Sequence, residues 1–238
     1  MIHRVVMVRG NLRAFLENGP FLGSLYLLWQ QHRMMSVHPH LVCRKGVTRI
    51  CIEGAPRSAN TFAVRLFRVA NDVHVAHHTH SVLNVRRALR YGLPVLILIR
   101  DPLEAIASSC VYHDRGPEGV GREVTAWLLF YRYVERVRER VVVADFETVV
   151  GDFNSVIEAV NRKFGTRFHL VEDVEAARQR VFEDIRAYSA KIGEKSGQVP
   201  MPTAERGWAK AYYRALLLQH PRLRAAQELY DRLTLQSH

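Results

Sequence analysis

One segment constrains the fold more than any other. Val95-Leu-Ile-Leu-Ile99 is continuously apolar, as a strand covered on both faces must be, and it breaks at once into Arg100-Asp-Pro-Leu-Glu104. Asp101 is a good N-cap, Pro102 suits the first helical position, and Glu104 stands three residues after the cap, so the segment predicts a buried strand turning directly into a helix. Three more β-branched runs, Val47–Ile52, Val73–Val75 and Arg140–Ala144, alternate with helical patterns over Thr61–Ala70, Val82–Tyr91, Pro102–Tyr112, Glu123–Arg138 and Phe153–Phe164, the last ended by Gly165. The β-α-β-α order predicts a three-layer α/β/α fold around a central, mainly parallel sheet. Beyond it the chain reads as mostly helical, with a Gly/Pro-rich break at 193–202 and helices over Ala204–Leu218 and Arg222–Leu233. One domain over residues 1–238 is expected, with an N-terminal helical extension through residue 46 and a helical tail from residue 193.

In an open parallel sheet, ligands bind beyond the carboxyl ends of the strands, which makes Arg100 informative by position alone. After the first strand comes Glu53-Gly-Ala-Pro-Arg-Ser-Ala-Asn-Thr-Phe62, a turn of small residues that leads straight into a helix. The unpaired N–H groups and positive dipole end of that helix favour an anion, and Arg57 adds a full charge with bidentate reach. The loop has no GxxxxGK[ST] pattern, which disfavours a nucleoside-triphosphate kinase. The whole chain agrees with an anionic partner: 34 Lys and Arg against 23 Asp and Glu give a net charge of +11.

Other features bound the class. Cys43, Cys51 and Cys110 are odd in number and widely spaced, so no disulfide framework or zinc ribbon is present and a reducing compartment is expected. The apolar run Pro20–Trp29 is ten residues long, about half of the ~20 that a membrane-spanning helix needs. It reads as a buried amphipathic helix or as a helix touching a membrane surface. His74, His77, His78 and His80 are dense enough to suggest metal ligands, but no carboxylate or cysteine lies among them, and no metal is expected.

Taken in order, Pro56-Arg-Ser-Ala-Asn-Thr61 and Arg100-Asp-Pro with Ser108 eight residues after the arginine resemble the two-part signature of sulfotransferases that use 3′-phosphoadenosine 5′-phosphosulfate (PAPS). Between them, His78-Thr-His80 is similar to the K-T-H segment of cytosolic members, with His78 in the place of the family lysine. Further on, Val141–Glu147 resembles the strand and Tyr-Glu pair that follow the second motif, with Phe146 for tyrosine. The resemblance spans roughly residues 48–165.

What the resemblance implies is specific. Arg57 would contact the sulfate and the bridging oxygen, the loop Ser58-Ala59-Asn60-Thr61 would cradle the 5′-phosphate, and Arg100 and Ser108 would take the 3′-phosphate. His80 would be the general base, PAPS the sulfuryl donor and PAP the product. Phe62, where cytosolic members have tryptophan, reads either as an adenine-stacking side chain or as core. Ala59 replaces the family glycine, which fits only if that position is helical and does not need a positive φ. Lys195 and Arg206 both compete for the family's carboxy-terminal phosphate contact. The Gly-rich loop His113–Gly121 reads as part of an acceptor wall or as a plain connection. The expected setting is cytoplasmic, with a small-molecule, carbohydrate or lipid acceptor and no nucleic acid. Two other classes stay open: a P-loop protein that binds a nucleotide without catalysis or transfers phosphate, and a basic nucleic-acid binder, although no helix-turn-helix, RNP or zinc-finger signature is visible.

Overall fold

The structure, a computed structural model, describes residue 29, residues 32–191 and residues 204–235. The run 20–28, the break at 193–202 and Lys195 lie outside the described residues, as does most of the expected N-terminal extension, of which 32–37 is helical.

Four strands form one all-parallel sheet: β1 (Thr48–Gly54), β2 (His74–His77), β3 (Val95–Ile99) and β4 (Val142–Asp145), in the spatial order β2-β1-β3-β4. The helices are α1 (Asn60–Ala70), α2 (Val82–Arg90), α3 (Pro102–Tyr112), α4 (Val120–Arg136), α5 (Phe146–Gly151), α6 (Phe153–Phe164), α7 (Val174–Lys191), α8 (Ala204–Leu218) and α9 (Leu223–Thr234). Gly165 ends α6 at φ 63°, in the left-handed region that glycine enters without a Cβ penalty. At α3, Asp101 accepts from the Glu104 N–H and Pro102 opens the helix.

The strand β3 sits between two strands and two helical layers, and all five of its residues are buried. Its side chains alternate. Val95, Ile97 and Ile99 join the core formed with α2, α3, α4, α8 and α9, whereas Leu96 and Leu98 join the core formed with α1, α6 and α7. Each such side chain, fully removed from water, stabilises the fold by about 1.5–3 kcal/mol before entropy is counted, which is why this segment is so plain in the sequence.

The same alternation locates the crevice. From β1 the chain passes into α1 on one face of the sheet, and from the adjacent β3 it passes into α3 on the other. Where neighbouring strands send their connections to opposite faces, a cleft opens beyond their carboxyl ends. Both arginine-bearing loops border that cleft. Among the described residues, no helix is long and apolar enough to cross a membrane.

Candidate active site

The first loop is shaped by three constraints. Gly54 has no room for a side chain, since a Cβ there would lie 2.4 Å from the Leu98 carbonyl oxygen. The second is Tyr131, fully buried on α4, whose hydroxyl donates to the Leu98 carbonyl at 2.7 Å and accepts from the Ala55 N–H at 3.2 Å, with Ser58 Oγ 3.3 Å away. Asn60, 4% exposed, is the third: its amide donates to the Ala55 carbonyl at 2.9 Å and so braces the loop from inside. These anchors hold 55–60 open at the amino end of α1, where the backbone N–H groups of its first turn have no helical partner.

The loop is also strained. Ala59 caps α1 at φ 65°, ψ 20°, and Arg57 lies at φ 71°. The condition under which alanine would fit position 59, a helical backbone with no positive φ, is therefore not met, because the residue that caps this helix must turn the chain through the left-handed region. An alanine held there costs about 1–2 kcal/mol relative to its preferred backbone. We expect Ala59→Gly to raise the unfolding free energy by about 0.5–1 kcal/mol once the larger unfolded-state entropy of glycine is offset, as urea denaturation would measure. A loss of stability would show that the loop relaxes around alanine without strain.

The two motifs meet. Arg57 Nε donates to Ser108 Oγ at 3.1 Å across 51 residues of chain, and Arg100 Nη1 donates to the Arg57 carbonyl at 3.4 Å. The Arg57 guanidinium stands 5.1 Å from the Tyr112 ring centre, and that of Arg100 lies 3.9 Å from the ring centre of Phe146 at the start of α5. Burial pulls the Arg100 pKa down, while Glu104, Glu147 and Asp101 oppose it. The Phe146 ring covers one face of the guanidinium. Phe62 lies elsewhere: it is 6% exposed and packs against Phe182 of α7 at 5.4 Å between ring centres, so of its two readings the core one fits.

Opposite the first loop lies the segment between β2 and α2. His78 and His80 adopt positive φ, 55° and 47°, so four of the five non-glycine residues with positive φ among the described residues face one another here. Such strain persists where surrounding bonds over-determine it. The fastening is Glu53, fully buried at the end of β1, which accepts from Thr79 N at 2.9 Å, Thr79 Oγ1 at 2.6 Å, His80 N at 3.3 Å and Asn84 Nδ2 at 2.9 Å. Burial pushes its carboxyl pKa up, against the lowering effect of His80 and of these donors. His80 Nδ1 lies 2.9 Å from the Gly54 carbonyl oxygen. A carbonyl only accepts, so Nδ1 carries the proton and Nε2 is left as the ring's acceptor.

His78 stands 3.0 Å from Thr61 Oγ1 through Nε2, and its ring meets His77 through the two Nδ1 atoms at 2.5 Å. Burial, followed by neighbouring positive charge, pushes the His77 pKa down to about 2 and that of His78 to about 3. Both are neutral imidazoles at physiological pH. No three His, Cys, Asp or Glu side chains among the described residues converge as a metal site.

Sequence reasoning passed over Glu53 and Tyr131. A carboxylate ending a buried strand was a readable signal for the first. Nothing in the pattern around Tyr131 marks it as more than a core aromatic. The acceptor-loop candidate His113–Gly121 begins within electrostatic reach of His80 and is tied back by Arg115 to Glu123 at 3.2 Å. The α8 helix docks on α3 through Lys210 and Arg214, which both pair with Glu104. A concavity of about 340 Å³ at the start of β4, bordered by Arg136, Arg138, Arg140 and Arg232, contains none of the motif residues.

No family model matches the chain, and no curated protein matches it. Among solved structures, the chain is similar to the crystal structure of mouse sulfotransferase SULT7A1 complexed with PAP, at 11% identity and a TM-score of 0.48 over 83% of this chain and 96% of that one. At that distance the likeness assigns neither an activity nor a cofactor to this chain.

Proposed function

We propose that this protein is a PAPS-dependent sulfotransferase acting on a hydroxyl or amine of a small-molecule, carbohydrate or lipid acceptor. The observation that carries the reading is the contact between Arg57 and Ser108, 3.1 Å apart. It brings the two motif loops, far apart in sequence, to the edge of one crevice at the switch point of the sheet.

The residues fit a ligand with two separated anionic groups. The amide groups of Ser58 to Thr61 at the amino end of α1 suit the 5′-phosphate, and Arg100 with Ser108 suits the 3′-phosphate. PAPS supplies the sulfuryl group when bound. Arg57 would stabilise the charge that develops on the leaving phosphate. His78 is neutral and cannot supply the charge of the family lysine, so that stabilisation falls to Arg57 and the α1 amides. His80, with its proton fixed on Nδ1, accepts the acceptor's proton at Nε2. Catalysis is then positioning and electrostatics, with no covalent enzyme intermediate. The free, buried cysteines Cys43, Cys51 and Cys110 agree with a reducing, cytoplasmic setting.

Calorimetric titration with PAP tests the reading. Wild type binds, and Arg100→Ala weakens binding roughly 10–100-fold, as expected for the loss of a charge-assisted pair. Incubation with PAPS and mixed acceptors releases PAP, whereas ATP yields no transfer. Absence of PAP affinity in wild type removes the proposal, and transfer from ATP replaces it with phosphotransfer.

A further inference from the structure

The histidines beside the first loop form a hydrogen-bonded line whose direction the partners fix. It begins at Arg68 on α1, whose Nη2 lies 3.3 Å from His77 Nε2. A guanidinium can only donate, so His77 Nε2 must accept. The proton of neutral His77 is therefore on Nδ1, and it points at His78 Nδ1, 2.5 Å away. That atom in turn accepts, which places the proton of His78 on Nε2, 3.0 Å from Thr61 Oγ1. The reverse polarity would set a His77 N–H against the Arg68 N–H, two donors facing one another with nothing to accept.

We propose that Arg68, His77 and His78 are positioning residues that act as a one-way relay, holding the Thr61 oxygen as an acceptor so that its hydroxyl proton is committed to the oxyanion bound in the first loop. Thr61 has one proton to give. Without the relay that proton has a competing use, donation to the nearby imidazole, and the bound oxyanion would meet a lone pair instead. The line also makes sense of the substitution at His78. A lysine there could donate to Thr61 but could not accept from His77, so it would leave the His77 N–H without a partner at a position where His77 is only 7% exposed. Burial of both rings keeps them neutral, which the relay requires. A hydrogen bond passed between polarised neighbours is strengthened by them, so the positive charge on Arg68 reaches Thr61 through two neutral rings.

The role of Thr61 rests on the proposed anion site, but the direction of the relay can be read without any ligand. Long-range ¹⁵N–¹H correlation spectra of the full-length protein report which ring nitrogen of each histidine carries the proton. The expected result is Nδ1–H for His77 and Nε2–H for His78. In Arg68→Met, both rings lose this preference, although His78 does not touch Arg68. The opposite tautomer at either ring, or an unchanged pattern in Arg68→Met, overturns the relay.

Binding gives the second readout. Thr61→Val and His78→Leu each weaken PAP binding by about tenfold, the scale of one lost hydrogen bond to a charged group. The double variant is within about twofold of the weaker single one, because both changes remove the same interaction. Independent effects, combining to about a hundredfold, would reduce His78 to a structural residue and overturn the assignment. Failure of wild type to bind PAP would overturn the sulfotransferase reading alone, since the tautomer pattern is observed in the free protein.

Discussion

His80→Gln lowers turnover by roughly 10²–10⁴-fold while leaving PAP affinity close to that of wild type, the range expected when a positioned general base is removed. The separation of the two effects follows from the geometry. His80 belongs to the segment between β2 and α2, on the side of β1 away from β3 and Arg100, and its Nδ1–H is taken up by the Gly54 carbonyl. It has an acceptor nitrogen to offer to a proton but no donor to offer to a phosphate. Glu53 sets its place, since the carboxylate gathers the Thr79 and His80 N–H groups and holds His80 at φ 47°. Glu53→Gln keeps the shape but turns one acceptor oxygen into a donor facing other donors. It should lower turnover less than the loss of His80, with a matching loss of stability. Single-turnover assays with labelled PAPS separate chemistry from binding. Turnover of His80→Gln within tenfold of wild type would take the base role away from this residue.

The parts of the fold legible in the sequence are those where one local signal decides the outcome. The bounds Val95–Ile99 and Pro102–Tyr112 are readable because five apolar residues, an Asp cap and a proline at the first helical turn agree. The short helix Phe146–Gly151 is not readable: it is a turn and a half long, and the Asp145 cap that starts it looks like the end of the strand before it. Likewise α4 begins at Val120 and not Glu123, because its first turn grows out of the 3₁₀ turn Pro117–Gly119, whose proline and glycine read as loop. In the candidate site, the motif spacing marks the candidate residues but not how they are held. Tyr131 joins Leu98, Ala55 and Ser58, and Glu53 joins Thr79, His80 and Asn84, through contacts that exist only after β1, β3 and α4 have packed. Ala59 and Phe62 show the other side of this. Their residue types suit a helical position and a stacking ring, but the chain path around the loop requires a left-handed cap and a buried phenyl ring.

Stability falls as the pH drops below about 6.5, with a slope that approaches ~2.7 kcal/mol per pH unit near pH 5, the value for two protons bound on unfolding. The largest contributions come from His77 and His78, with pKa values in the folded protein of about 2 and about 3. In the unfolded chain both return to about 6.5. Between these limits the unfolded state binds more protons than the folded one, so the stability is fully present above pH 6.5 and is lost as the pH falls toward the folded values. His74, also lowered by burial and by nearby arginines, acts in the same direction. Glu53 acts in the opposite one. Its folded pKa is raised, so the folded state takes up its proton first on acidification, which offsets part of the loss over the interval between its unfolded and folded values. Urea denaturation at about pH 7.5, 6.5, 5.5 and 4.5, with constant m-values confirming a two-state transition, measures the slope. In His78→Gln, one of the two proton sites is gone and the slope drops by about half. A flat profile between about pH 6.5 and 5 would mean that the rings are solvated and protonate in the folded protein. His78 meets Thr61 directly and His77 meets His78, so the acid sensitivity of the fold is a consequence of placing neutral imidazoles, and not a lysine, beside Thr61.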